Sequence, residues 1–419
     1  MANAAEVITL GCRLNLAESE VVRKLASQAG CEDAVIVNTC AVTNEAVRTA
    51  RQRIRRAKRE RPDARIIVTG CAAQIDPDAF ATMPEVEVVL GNQEKLEANQ
   101  WAALAESTDS VFRVNDIMSV RETAGHIIDG YGDRARAFLQ IQNGCDHRCT
   151  FCVIPYGRGN SRSAPINDIV EQAHQLVEAG HREIVLTGVD ITSYGVDLED
   201  VASLGDLVRA LLDQVPDLYR LRLSSIDGAE VDEALFDLIT GDARIAPHLH
   251  LSLQAGDNLI LKRMKRRHSR EQAIELCAAI RARRPEVAFG ADIIVGFPTE
   301  TAEMFQRSLD IVDEAGLQYL HVFPFSPRNG TPAARMPQVH RGVVKERAAQ
   351  LRAKGTESLH RFLDGFIGSE QSAIQESGGR ARLGNFAPVR LDGSPTEIGD
   401  VVSVKITGRD GDSLTGIQN

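Results

Sequence analysis

Three of the eight cysteines fall within one stretch of eight residues, CDHRCTFC, which carries Cys145, Cys149 and Cys152. A C-x3-C-x2-C loop brings three thiolates to one point, and Cys sulfur is the ligand of four-iron clusters. Three ligands leave the fourth iron free, and an open coordination position is what lets a metal centre bind a reactant. Zinc is the competing reading. It favours paired C-x2-C elements with a fourth ligand nearby, and His147 is available only inside the spacer. A disulfide suits the chain poorly, because eight cysteines in 419 residues is far below the density of disulfide scaffolds.

A second group is spread along the chain. Cys12, Cys40 and Cys71 each follow directly on a short apolar run: ITLGC, VNTC and VTGC. The runs EVITL, AVIVN, RIIVTG and VEVVLG have the length and composition of buried strands. Between them lie the helical patterns SEVVRKLASQAG and EAVRTARQRIRRAKRE, and strand–helix alternation implies a parallel sheet. In such a sheet the strand ends share one edge, where ligands bind. Cysteines 28 and 31 residues apart thus converge at one place. The alternative is three unrelated core cysteines. Cys31 and Cys277 match neither group and are read as structural.

These cysteines need three domains to position them, an α/β chain overall. Residues 1–118 are expected to form an N-terminal parallel-sheet α/β domain. Residues 116–135 lack periodicity and read as a linker. A domain over 131–362 contains the runs FLQIQ, EIVLTG, RLRLSS, HLHLSLQ, FGADIIVGFP and YLHVFPFS with helical patterns between them, which predicts a partial (β/α) barrel with its site at the strands' C-terminal ends. Residues 338–365 read as a basic helix, and 363–419 as a small antiparallel β-barrel. Hydrophobic content of 43% and charged content of 25% exclude collagen-like and disordered chains. No apolar run reaches the ~18 residues of a membrane span, and the start has no signal-peptide pattern. A cytoplasmic location without membrane partners is expected.

Net charge is −10, which argues against indiscriminate nucleic-acid binding. Residues 46–65 and residues 261–284 nevertheless each hold nine Lys or Arg against two Asp or Glu. Two concentrated basic patches on an acidic body suit a defined polyanion. The alternative is two solvated helix faces.

The triplet, with Phe151 in its aromatic slot and a βα barrel following, resembles the radical S-adenosylmethionine (SAM) signature. The segments TLGCRLNLAESE, VNTCAVTNEA, VTGCAAQ, VIPYGRGNSRSAP, ADIIVGFPTET and HVFPFSPRNGTPAARM resemble the methylthiotransferases over roughly residues 6–417. The Gly-rich tail resembles their TRAM module. VNTCAVTNEA together with GRGNSRS is most similar to the branch acting on N6-threonylcarbamoyladenosine in tRNA. Enzymes acting on isopentenyladenosine, or on a ribosomal-protein aspartate, are the alternatives within the family. A redox-sensing iron–sulfur RNA-binding protein without turnover is the alternative outside it.

The resemblance implies that Cys145, Cys149 and Cys152 hold the SAM cluster, and that Cys12, Cys40 and Cys71 hold a second four-iron cluster. Phe151, Gly188, Asp190, Ser224 and Gln254 are implied as SAM contacts. Arg162 is a candidate for carboxylate or phosphate pairing, and Asp292 for the site or the barrel frame. The implied substrate is a tRNA anticodon stem-loop. Arg48, Arg51, Arg55, Lys58 and Arg59 would contact its phosphates from one helix, and Lys262, Arg263, Lys265, Arg266 and Arg267 from a second patch. A flavodoxin or ferredoxin is the implied electron donor, and the sulfur donor stays open. The tail departs from an RNA-binding pattern, with five Lys or Arg against eight Asp or Glu from Leu363 to Asn419. Phe386 is either a base-stacking residue or core of the small barrel.

Overall fold

The chain is described here by a computed structural model that covers residues 5–106, 110–121, 131, 134–393 and 397–418. Its first sheet contains β1 (Glu6–Thr9), β2 (Ala34–Thr39), β3 (Arg65–Gly70), β4 (Val88–Leu90) and β5 (Val111–Arg113), all parallel and in that order. β2 and β3 are buried on both faces, as strands between two helical layers must be. Val35, Val37, Ile66 and Val68 pack against Ala50, Ile54 and Ala57 of helix α2 (Asn44–Glu60). The alternate residues Ile36 and Ile67 pack on the other side with Val22, Ala26 and Trp101. β5 is a short edge strand without an apolar run, so nothing in its sequence announces it.

Helix α1 spans Arg13–Gln28 and starts well before the expected SEVVRKLASQAG. Its first turns bury Asn15 and Glu18, polar residues that interrupt the apolar pattern a sequence reading follows. α2 matches its expected stripe and is capped by Thr43, whose Oγ1 accepts from Ala46 N at 3.1 Å.

Of the expected linker, residues 117–119 form one helical turn, while 122–130, 132 and 133 lie outside the described residues. Six parallel strands follow: β6 (Arg136–Gln140), β7 (Glu183–Thr187), β8 (Arg220–Leu223), β9 (His248–Gln254), β10 (Ala288–Val295) and β11 (Leu317–Pro324). They form two sheets. β6, β7 and β8 make one, and β9, β10 and β11 the other, with Ser225–Ile226 carrying the chain of β8 onto β9. The result is an open, curled sheet with helices on its outside. In β9 the sequence HLHLSLQ alternates: Leu249 and Leu251 join the core beneath the helices, which turns His248 and His250 to the opposite, interior face, and a register shift against β10 between Leu251 and Gln254 breaks the alternation beyond them.

A long helix, Arg341–Asp364, packs along β11 and delivers Leu363 into the core of the C-terminal unit. That unit is a closed five-stranded barrel of β12 (Glu370–Glu376), β13 (Arg380–Leu383), β14 (Pro388–Asp392), β15 (Val401–Asp410) and β16 (Ser413–Gln418). It is not wholly antiparallel as expected, because β14 and β16 pair in parallel to close it. No helix among the described residues is long and apolar enough to cross a membrane.

Candidate metal centres and barrel interior

Cys12, Cys40 and Cys71 lie just beyond the C-terminal ends of the adjacent strands β1, β2 and β3. Two glycines close the arrangement. Gly11, at φ +95°, lies so near Cys40 that a Cβ there would come within 2.6 Å of the Cys40 Cβ. Gly70, also at φ +95°, sits where a Cβ would meet the Thr39 backbone at 2.4 Å. The three thiols feel one another: Cys71 raises both Cys12 and Cys40, although burial is the larger cause and takes Cys40 up to about 11. Cys12 is exposed to solvent, although the protein around it is close enough for burial to raise its thiol. A cleft of about 410 Å³ lined by Thr9, Gly11, Cys12, Arg13, Glu20 and Arg134 opens onto it. Three thiols gathered at one sheet edge, one of them open to a cleft, fit a cluster, whose positive irons would deprotonate them.

Cys145, Cys149 and Cys152 follow the end of β6. Burial again raises Cys145, with Asp190 adding to it, and pushes Cys152 up to about 11, with Cys149 and Cys71 adding to it. The two trios are therefore within electrostatic reach of each other. The helix Ile154–Arg158 joins them: it starts two residues after Cys152, and Gly157 packs where a Cβ would lie 3.2 Å from the Cys71 Cβ.

Around this triplet, Asp190 Oδ2 lies 3.7 Å from Cys145 Sγ and 2.9 Å from His147 Nε2. Asp190, and then Glu230, hold His147 protonated to about 10. Burial works to raise Asp190, but His147 outweighs it and the carboxyl is lowered. Gln142 Oε1 accepts from the backbone N–H groups of Val189 and Asp190 at 3.0 and 2.9 Å, and Gly188 packs against the same side chain. Asp190 and Gly188 are thus held beside the cysteine loop by hydrogen bonds, not by loop chance. Ser224 is buried at the end of β8, and Gln254 ends β9 at φ +70°. Phe151 lies in an apolar group with Ile260, Met264 and Phe297, its ring edge-on to Phe297 at 6.4 Å.

The radical SAM superfamily model matches residues 139–312, and the model of uncharacterized protein family UPF0004 matches residues 4–91. The chain is 51% identical over 403 residues to a threonylcarbamoyladenosine tRNA methylthiotransferase, MtaB, of Rickettsia prowazekii, covering 96% of this chain and 94% of that protein. This chain belongs to the radical SAM methylthiotransferases. A tRNA-2-methylthio-N(6)-dimethylallyladenosine synthase of Carboxydothermus hydrogenoformans is 32% identical, over 96% of each chain. The radical SAM methyltransferase TsrM of Kitasatospora setae, solved with cobalamin and a [4Fe-4S] cluster, shares the fold at TM-score 0.56 and 16% identity, over 77% of this chain and 70% of that one.

In this methylthiotransferase the basic residues separate into distinct groups. On α2, Arg48 pairs with Glu45 at 2.6 Å and Lys58 with Glu87 at 3.0 Å, while Arg55 lies 3.9 Å from Glu85. Arg51 is half-buried, its guanidinium over the Phe80 ring. Arg48, Arg55 and Arg59 remain exposed. In the second patch Lys262, Lys265 and Arg267 face outward, the last pairing with Glu230, and Arg263 is half-buried. Arg266 is a correction. It turns inward, donating to Asp227 Oδ2 at 2.7 Å and Ser252 O at 2.8 Å, with Nη1 3.7 Å from Cys149 Sγ. It supports the cysteine loop and is withdrawn from the phosphate-contacting set.

Two other expectations also change. Arg162 is buried with its Nη atoms donating to Asn160 O and Arg158 O at 2.9 and 3.0 Å, so it clamps the backbone of the loop. Phe386 neither stacks freely nor fills the small barrel. It stacks on His248 at 4.8 Å, ringed by the guanidinium groups of Arg13, Arg136, Arg222 and Arg382 within 5.6 Å. Asp292 Oδ1 faces His250 Nε2 at 2.9 Å and His321 Nδ1 at 3.1 Å, forming a polar cluster on β9, β10 and β11. Sequence reasoning missed His250 and His321 as a pair. The alternation HLHLSLQ signals only His250, and it tells the face, not the partner; His321 sits in YLHVFPFS, whose pattern does not single it out.

Proposed function

We propose that this chain inserts a methylthio group at C2 of N6-threonylcarbamoyladenosine 37, beside the anticodon of tRNA. The observation that carries this reading is the pair of cysteine trios held within reach of each other by the helix Ile154–Arg158. The cofactors are two four-iron clusters and SAM. Cys145, Cys149 and Cys152 hold the first cluster, and Cys12, Cys40 and Cys71 the second, each leaving one iron without a protein ligand. When bound, these groups supply a carbon-centred radical from SAM and the sulfur to be transferred.

The remaining work belongs to side chains. Asp190 and Gly188, fixed by Gln142, receive the amino end of SAM; Phe151, Ser224 and Gln254 line the rest of its seat. The curled sheet keeps water from the reacting atoms. Its interior favours one substrate branch. His250, Asp292 and His321 offer hydrogen-bonding groups that a threonylcarbamoyl substituent can use and a dimethylallyl hydrocarbon cannot. A polar lining gains nothing from contact with a hydrocarbon and can hydrogen-bond a polar substituent, so it favours the polar one. The closer identity to the threonylcarbamoyladenosine enzyme, 51% against 32%, supports the same branch.

Arg48, Arg51, Arg55, Lys58, Arg59, Lys262, Arg263, Lys265 and Arg267 serve the tRNA backbone, the exposed ones directly. A flavodoxin or ferredoxin supplies the electron, and the site of action is the cytoplasm. Nucleoside profiling of a strain lacking the gene tests the reading. Loss of 2-methylthio-threonylcarbamoyladenosine is expected, and an unchanged level overturns it. SAM turnover by the reconstituted protein excludes a sensor without catalysis.

A further inference from the structure

Arg158 ends the helix that begins beside Cys152, and its side chain crosses from the barrel domain into the N-terminal one. It is 1% exposed. Nε donates to Cys71 Sγ at 3.1 Å, Nη1 to Glu18 Oε1 and Nη2 to Asn15 Oδ1. Behind it, Lys95 Nζ donates to Glu18 Oε2 at 2.6 Å and Asn92 Oδ1 at 2.7 Å, and Asn92 Nδ2 reaches the Gly157 carbonyl. Glu18 and Lys95 are buried as completely as Arg158. This enclosed group therefore contains two cations and one carboxylate. Buried charge is tolerated only when paired, and the acceptor facing the surplus is the Cys71 sulfur.

We propose that Arg158 sets the reduction potential of the centre held by Cys12, Cys40 and Cys71, raising it from across the domain boundary. This rests on the reading that those cysteines hold a cluster. Reduction adds one negative charge to a cluster, and hydrogen bonds to its sulfurs and nearby positive charge stabilise the reduced state. Arg158 supplies both, and in a dry environment where they are weakly screened. Glu18 acts in the opposite sense, being a carboxylate fixed on the far side of the same guanidinium. Arg158 is thus a positioning residue for the sulfur-bearing centre, and the same contact docks the two domains. Arg266 repeats the arrangement on the other trio at longer range, 3.7 Å from Cys149 Sγ.

The test uses the full-length chain with Cys145, Cys149 and Cys152 changed to Ala, so that one centre remains, reconstituted without oxygen and titrated spectroelectrochemically. Arg158→Gln should lower the midpoint, Arg158→Lys should fall between it and the parent, and Glu18→Gln should raise it. A merely structural role would not move the two charges' variants in opposite directions. An Arg158→Gln protein that holds about four irons at the parent's midpoint overturns the inference. Should that variant fail to load, an unmoved midpoint in Glu18→Gln overturns it instead. A parent that binds no cluster overturns the cysteine assignment, and this inference with it.

Discussion

The Phe386 ring lies on the His248 imidazole, centroids 4.8 Å apart and planes 26° from parallel, so a turn of the C-terminal barrel is seated against β9 of the large barrel. Burial, with Arg222 and other cations nearby, keeps His248 well below its usual range and hence neutral. A neutral ring stacks without adding to the four surrounding guanidinium charges. Phe386 adopts φ +75°, unfavourable for a bulky residue, which its packing must offset. Phe386→Ala should cost about 2 kcal/mol of domain docking. Limited proteolysis should then release the C-terminal barrel faster, with SAM cleavage retained; unchanged proteolysis would show that the seat contributes nothing.

The two trios should be separable by function. Cys149→Ala should abolish reductive SAM cleavage, measured as 5′-deoxyadenosine. Cys40→Ala should leave that cleavage intact and stop thiolation. Loss of cleavage in both would count against two independent centres.

Arg266 and its neighbours should differ in kind. Lys262→Glu with Lys265→Glu should weaken tRNA binding and reduce its salt slope by about 0.9 for each phosphate no longer neutralised. Arg266→Met should leave the slope unaltered and disturb the visible spectrum of the SAM cluster. A reduced slope in Arg266→Met would return that residue to the phosphate-contacting set.

Glu183 offers a test of pH dependence. It is buried, and burial alone would raise its carboxyl. Arg222, bidentate at 2.6 and 3.0 Å, outweighs this and holds it at about 2. A carboxylate depressed in the fold stabilises it fully above its unfolded pKa of about 4.3, and that contribution fades as pH falls toward 2. Glu183→Gln should therefore cost about 3 kcal/mol at pH 7. Thermal melts should show the gap from the parent narrowing below pH 4. A constant gap from pH 7 to pH 3 would rule out an ionic origin.

Much of this architecture was legible in the chain alone. Apolar runs followed by Gly-Cys or Thr-Cys place cysteines at parallel strand ends, because a buried strand must be apolar and its ligand-bearing residue must come where it stops. The C-x3-C-x2-C spacing carries its own chemistry, and HLHLSLQ announces a strand with one polar face. What tertiary structure alone decided concerns polar residues with long reach. Periodicity reports which face of an element is covered, never what covers it, so Asn15 and Glu18 looked like a gap before α1 when they are its buried start. Arg266 reads as one more cation in KRMKRR, yet a partner 39 residues away at Asp227 turns it inward. Arg158 and Phe386 settle their roles by reaching into other domains, against Cys71 and His248. A guanidinium on a flexible stem takes whichever acceptor the fold brings within about 3 Å, and that acceptor is absent from its own stretch of sequence.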